Sequence, residues 1–385
     1  MILCFHNSAG KISGSQYAWL IQMGHRKIGL DYIRATAILL VLMAHAFHGR
    51  SDKFDVLGFL GVEIFFVLSG YLIGGILLAS IARHQNVISL RLVKDFWVRR
   101  WMRTMPNYLL FLPVYMYFDH VGFQKQLFYF LTFTQNLVRP FQSSFYSLSW
   151  SLTIEEWFYT LFPLITLGLF KLFRHIRPAF LTSVSLLFVI PLILRITFGP
   201  GHSWDDCMRK IVVFRLDALM WGVSLAALQR YRPTVFSRLC KPVLLIVGIA
   251  GIVGVALWVT MSGCMYTNAT PVDALMFDAA SFCCAIALPF CSTIEWSDSW
   301  ISRAAVFTSL WSYSLYLCHI AVFHLVVMAR SYIPQRGAVA ILQWVAAYAV
   351  AAAVFYGFER PILRLRDRLT EGRRAPKPIE VATAV

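Results

Sequence analysis

Charge is what this sequence has least of. Of its 385 residues only 14% are charged, and acidic side chains number 19. A soluble globular domain carries about 25% charged residues, so this chain cannot solvate its own surface as an ordinary soluble enzyme does. The same hydrophobicity excludes disorder and a collagen-like repeat. Cysteine is too sparse for a disulfide framework: eight are spread along the chain, none in a CxxC pattern or beside a histidine pair at zinc spacing. Most, including Cys283 and Cys284, read as small core hydrophobes. Cys207 and Cys264, both in expected outer loops, are the one pair that invites a disulfide. No GxSxG elbow, Walker loop or GxGxxG after a strand is present, so nothing supports a soluble hydrolase, nucleotidase or dehydrogenase core. Residues 1–27 lack the compact apolar run of a cleavable leader, and Met23 is a second candidate start.

What is present is hydrophobic and basic. Apolar residues make up 58%, and 35 Lys and Arg against the 19 acids give a formal net charge of +16. Such a balance points to nucleic acid or to an anionic membrane surface. Because the charges fall between long apolar runs, the membrane is the expected partner and nucleic acid is not.

A helix needs ~20 mainly apolar residues to cross a bilayer. Ten stretches qualify: 32–48, 57–80, 104–119, 154–172, 179–198, 210–228, 242–261, 273–293, 306–329 and 338–358. An eleventh, 124–138, is short and contains Gln135 and Asn136. Loops rich in Lys and Arg stay cytoplasmic, and four regions are basic: 81–103, 171–178, 229–241 and the tail from Arg360. All four lie on one side only if 124–138 does not cross. The expected fold is therefore all-α and polytopic, with about ten transmembrane helices and both termini cytoplasmic. Segment 120–150 becomes an outer or re-entrant excursion. The chain divides into a cytoplasmic segment 1–27, a membrane domain 28–368 and a cytoplasmic tail 369–385.

Ionisable residues at membrane depth cost about 2.5–3.5 kcal/mol each on translocon scales, so each marks a candidate site. Arg34 and His45 stand eleven positions apart, close to three turns, and share one side of the first helix about 16 Å apart along its axis. Glu63 sits near the outer end of the second span, in a run with Gly61, Ser69 and Gly70 that permits close helix packing. Arg99, Arg100 and Arg103 cluster before the third span, a pattern suited to phosphate or to anionic lipid. Trp150, Ser151, Glu155 and Glu156 mark the entry to the fourth, where Glu155 could fix the tautomer of His45 as in a general-base pair. Arg215 and Asp217 in span 210–228 could pair, and His319 follows the run Ser312–Cys318. No metal site is expected, since His45 and His48 lack further ligands at sound spacing.

Six motifs, in order, resemble the membrane-bound acyltransferase family three, which includes O-antigen and exopolysaccharide O-acetylases. They are Leu30-Asp31-Tyr32-Ile33-Arg34 with His45; Phe65-Phe66-Val67-Leu68-Ser69-Gly70-Tyr71; Arg99-Arg100-Trp101-Met102-Arg103; Trp150-Ser151-Leu152 with Glu155; Ser312-Tyr313-Ser314-Leu315-Tyr316-Leu317 with His319; and Glu359-Arg360-Pro361. The resemblance spans residues 27–368 and implies transfer of an acyl group, usually acetyl from acetyl-coenzyme A, to a glycan or glycolipid hydroxyl. It implies catalytic roles for His45, Arg34 and Glu155, and donor binding by Arg99, Arg100 and Arg103. Glu63, Ser69, Trp150, Ser151, Asp217, Tyr316 and His319 are the expected substrate-binding residues. Glu63 stands where the family commonly has Asp, and Cys318 where Trp is usual. No further domain is seen after residue 368, so a stand-alone member of a bacterial inner membrane is expected, with homo-oligomers compatible. The competing reading is a secondary transporter or flippase, but no internal repeat relates the two halves.

Overall fold

The computed structural model describes residues 27–47, 54–120, 122, 125–140, 145–329 and 336–371. His48 and Asp52, the candidate start at Met23 and most of the two terminal segments fall outside them. Among the described residues the chain is helical, its one β-bridge being the isolated pair Ser203 and Asn268. In order the helices are α1 (Ile28–Ala46), α2 (Asp55–Arg83), α3 (Leu90–Phe118), α4 (Lys125–Leu131), α5 (Ser149–Phe173), α6 (Ile176–Phe198) and α7 (Leu216–Tyr231). There follow α8 (Pro233–Leu239), α9 (Pro242–Ser262), α10 (Asp273–Cys291), α11 (Trp300–Met328), α12 (Arg336–Val354) and α13 (Arg360–Glu371).

Eight helices among the described residues are long and apolar enough to cross a membrane. Two of the ten stretches expected to cross are not among them, each for a local reason. The first, 104–119, is the second half of α3, whose first half is too charged and whose interior carries Pro106 and Pro113. The second, 210–228, is broken by a 3₁₀ turn at Val212–Phe214 and leaves α7 only 16 residues long. In the excursion 120–150, α4 has seven residues, about 10 Å of rise, too little to span. Asn136, fully buried, ties this segment down by donating to the carbonyls of Trp150 (3.1 Å) and Lys210 (2.5 Å).

The apolar periodicity has two outlets. On α9 it faces outward: Val243, Ile246, Val253, Leu257 and Met261 all stand exposed, a surface that only lipid or another helix tolerates. On α2 it faces inward, where the helix packs against α1, α7 and α10. The α2–α7 contact depends on glycine. A Cβ added at Gly70 would collide with the Leu219 carbonyl, and one at Gly222 with the Val67 carbonyl. Backbones approach that closely only where side chains vanish.

The one pair that invited a disulfide does not form it. Cys207 and Cys264 are both free and buried in separate apolar clusters, with Cys264 Sγ against Met276 Sδ at 3.6 Å.

Candidate active site

Two cavities flank the middle of the bundle. The first, about 330 Å³, lies toward the end that carries the start of α1 and the end of α2. Arg34 from α1, Ser69 from α2, Arg100 and Arg103 from α3, Ser151, Glu155 and Tyr159 from α5, and Ser312, Tyr313 and Tyr316 from α11 line it. Arg100 and Arg103 are three residues apart, so successive turns of one helix present both guanidinium groups to the same space. Arg99 turns the other way, toward the Thr370 carbonyl at 3.5 Å in α13. The α1 arginine is anchored by Ser309, 3.3 Å from Nη1, which in turn donates to Asp31 at 2.6 Å.

The expected pairing of His45 with Glu155 is replaced by a different arrangement. Both Glu155 oxygens accept hydrogen bonds, from Ser69 (2.7 Å) and from Tyr159 (3.0 Å), and the residue faces the arginine-lined cavity. It stands six residues into α5, about 9 Å along from the helix start, far enough to meet the arginines rather than the segment that precedes the helix.

His45 instead meets His319, a residue from a different helix. His45 Nδ1 lies 2.8 Å from the Val41 carbonyl, and His319 Nδ1 lies 3.0 Å from the Leu315 carbonyl. A carbonyl only accepts, so both rings carry their proton on Nδ1 when neutral. His319 Nε2, at 3.3 Å, is then the acceptor for the shared His45 Nδ1–H. This fixes the tautomer of His45 and puts its basic lone pair on Nε2.

The second cavity, about 610 Å³, contains His45 and lies toward the opposite end of α1 and α2. Its wall mixes apolar residues, among them Val41, Met265 and Phe323, with polar and aromatic ones: Asp55, Trp150, Asp205, Asp206, Arg209, Lys210, Tyr266 and His324. Tyr266 donates to Asp55 at 2.8 Å, and the Arg209 guanidinium lies 5.0 Å from the Trp150 ring centre. Burial alone would raise the Asp205 carboxyl, but Arg209 (2.7 Å) and Lys210 (2.5 Å) outweigh it and hold the group below its ordinary value. Tyr316 and Val62 border both cavities.

Glu63 and Asp217, expected to bind substrate, line neither cavity. Both are buried in an ion network that joins four helices. Glu63 on α2 pairs with Arg215 and accepts from Ser281 at 2.8 Å, while Asp217 on α7 pairs with Arg195 of α6 at 2.7 Å. Arg195 also pairs with Asp278 of α10. The expected Arg215–Asp217 pair is thus exchanged for two cross-helix pairs. Arg195 went unnoticed in the sequence although it sits in a strongly apolar run, the signal that should have flagged it. A third structural cluster explains the Glu359-Arg360-Pro361 motif: Glu359 accepts from Asn107 (2.8 Å) and Ser314 (2.7 Å), locking α3 to α11.

Residues 27–360 match the family described as acyltransferase domain. Among similar proteins, the peptidoglycan O-acetyltransferase OatA of Listeria monocytogenes is 29% identical over 360 residues, covering 86% of this chain and 55% of that protein. The O-acetyltransferase OatA of Staphylococcus aureus is 29% identical over 348 residues, covering 80% and 52%. An uncharacterized protein of Haemophilus influenzae is 27% identical over 175 residues, covering 41% and 68%. The chain thus spans about half the length of the two OatA relatives. No solved structure matches it. With its matched region running from the start of α1 to the start of α13 and taking in both cavities, this chain belongs to the acyltransferase family.

Proposed function

We propose that the protein is a membrane O-acyltransferase that moves an acyl group, acetyl in the simplest case, from acyl-coenzyme A to a hydroxyl of a glycan or lipid-linked sugar. One observation carries this reading: an arginine-lined cavity and a histidine-centred cavity lie toward opposite ends of the bundle and share one wall. A coenzyme with several phosphates cannot cross a bilayer, but Arg100 and Arg103 can hold it from the cytoplasmic side by charge-assisted hydrogen bonds. Arg34 and Glu155 then border the path of the thioester. The acceptor enters from the other side, where Trp150, Tyr266 and the aspartates offer the stacking faces and acceptors that a sugar requires.

His45 Nε2 takes the proton of the acceptor hydroxyl as its oxygen attacks the thioester carbonyl. The C–O bond forms, the C–S bond breaks, and the coenzyme leaves as thiol or thiolate into the basic cavity. His319 accepts the Nδ1–H throughout and stabilises the imidazolium as it forms. This reading keeps ten passes with both termini cytoplasmic, α3 and α7 completing the count, and places the protein in the cytoplasmic membrane. The name of the Listeria relative, a peptidoglycan O-acetyltransferase, favours a cell-wall glycan over lipopolysaccharide or exopolysaccharide as acceptor.

The test is transfer of label from acetyl-labelled acetyl-coenzyme A to isolated peptidoglycan strands by detergent-solubilised protein, where no gradient exists to drive transport. Replacing Arg100 and Arg103 by Ala should raise the donor concentration required by roughly tenfold or more, since a hydrogen bond to a charged group contributes about 1.5–3 kcal/mol. Arg99→Ala should do less. Failure of the wild-type protein to label any glycan fraction would overturn the reading.

A further inference from the structure

We propose that Tyr316 is the gate between donor and acceptor, a positioning residue that keeps water off the thioester until the acceptor hydroxyl is in place. The inference rests on the two-cavity reading above. Among the described residues, Tyr316 and Val62 are the two that border both cavities. The Tyr316 hydroxyl is held across the partition. It donates to the Leu148 carbonyl at 3.1 Å and lies 2.6 Å from the Ser151 hydroxyl, which reaches the same carbonyl at 3.4 Å. Leu148 belongs to the wall of the histidine cavity and Ser151 to that of the arginine cavity.

The ring itself fills the wall. The Tyr316 ring meets Phe65 of the arginine cavity at 6.5 Å with the two planes close to perpendicular, and His319, three residues further along α11, lies 6.1 Å from it. A thioester delivered past Arg100 and Arg103 therefore stops at Tyr316, and the histidine pair waits behind it. Two neutral hydrogen bonds hold the ring, so an incoming acceptor hydroxyl that replaces either one can release it. Water is the competitor that this arrangement excludes. Its oxygen would bond to the carbonyl carbon, the C–S bond would break, and its second proton would end on the coenzyme sulfur, giving free acid and thiol. Water that reached the thioester through an open partition would waste donor.

The experiment measures thiol release from acetyl-coenzyme A by purified, solubilised protein with no acceptor added, in wild type, Tyr316→Ala and Val62→Ala. Each variant opens the partition from a different helix. Thiol release should rise on the order of tenfold in Tyr316→Ala and by a smaller factor in Val62→Ala. Label transfer to peptidoglycan strands should fall in both. A fold disturbed in some general way loses activity and does not gain hydrolysis. Hydrolysis at the wild-type rate in both variants, with each eluting and melting as the wild type does, would overturn the gate. Should Tyr316→Ala prove unrecoverable, Val62→Ala decides alone. A wild-type protein that transfers label while neither variant hydrolyses donor refutes the gate only. A wild-type protein that consumes no acetyl-coenzyme A with any acceptor refutes the functional reading and the gate with it.

Discussion

In the proposed mechanism His45 and His319 divide between them what a histidine and a carboxylate do in many general-base pairs. The carbonyls of Val41 and Leu315 set both tautomers, and the neutral His319 ring receives the Nδ1–H of its neighbour. Loss of that acceptor leaves His45 in place but lets its ring turn and its imidazolium go unsupported. His319→Ala should therefore lower kcat by roughly 10²-fold, the lower end of what a positioned acid or base contributes, with little change in KM for acetyl-coenzyme A. A matching rise in that KM would assign His319 to donor binding instead. Glu63 has a different task. Its charge is fully buried against Arg215, which stacks 4.1 Å from the Phe277 ring centre. Glu63→Ala strands that cation and should cost about 3–5 kcal/mol, seen as lost folded protein on mild heating in detergent. A variant as stable as wild type would mean that Arg215 has another counter-charge. The sequence made both residues conspicuous, because an ionisable group in an apolar run is costly wherever it points. It could not name their partners: spacing along one helix says which side chains share a face, and each partner here comes from another helix.

Helices were legible where they are long, apolar and uninterrupted, as for α1, α2, α9 and α11. Legibility failed where a charged or broken stretch adjoins an apolar one. The first half of α3 carries the arginines that line the cavity, so hydropathy alone undervalues the whole helix. The turn at Val212–Phe214 places Arg215 at the head of α7 and shortens the helix behind it, a local bend that average hydrophobicity does not register. Gly70 and Gly222 show the opposite case, in which a packing signal on α2 correctly suggested close approach without naming the helix that approaches. Gly222→Leu drives a side chain into the Val67 carbonyl and should force α7 off α2, taking the Glu63–Arg215 pair with it. Overpacking of this kind typically costs 1–3 kcal/mol, roughly, and more where backbone blocks the way. Unchanged detergent stability of that variant would show that the helices can separate freely.

At the scale of the molecule, charge is brought to the interior of the bundle in three places: an arginine-lined cavity, a buried ion network, and the short turn Trp204–Arg209 beside the histidine cavity. The turn is held by Asp205 with Arg209 and Lys210. Because the folded-state value of Asp205 is depressed, its stabilising contribution is present above the ordinary carboxylate range and is lost as the pH falls through the depressed value. Acceptor binding should thus weaken on acidification below that range, and Asp205→Asn should remove part of this dependence. An unchanged acid profile in that variant would show that the turn is held by other contacts. The proposed function has a glycan acylated at the histidine cavity, with His45 as its general base. The most direct measurement is mass spectrometry of surface glycans from cells producing the wild-type protein or His45→Ala at equal membrane levels. An added acyl mass is expected in the first and not in the second; equal acylation in both would contradict the role given to His45.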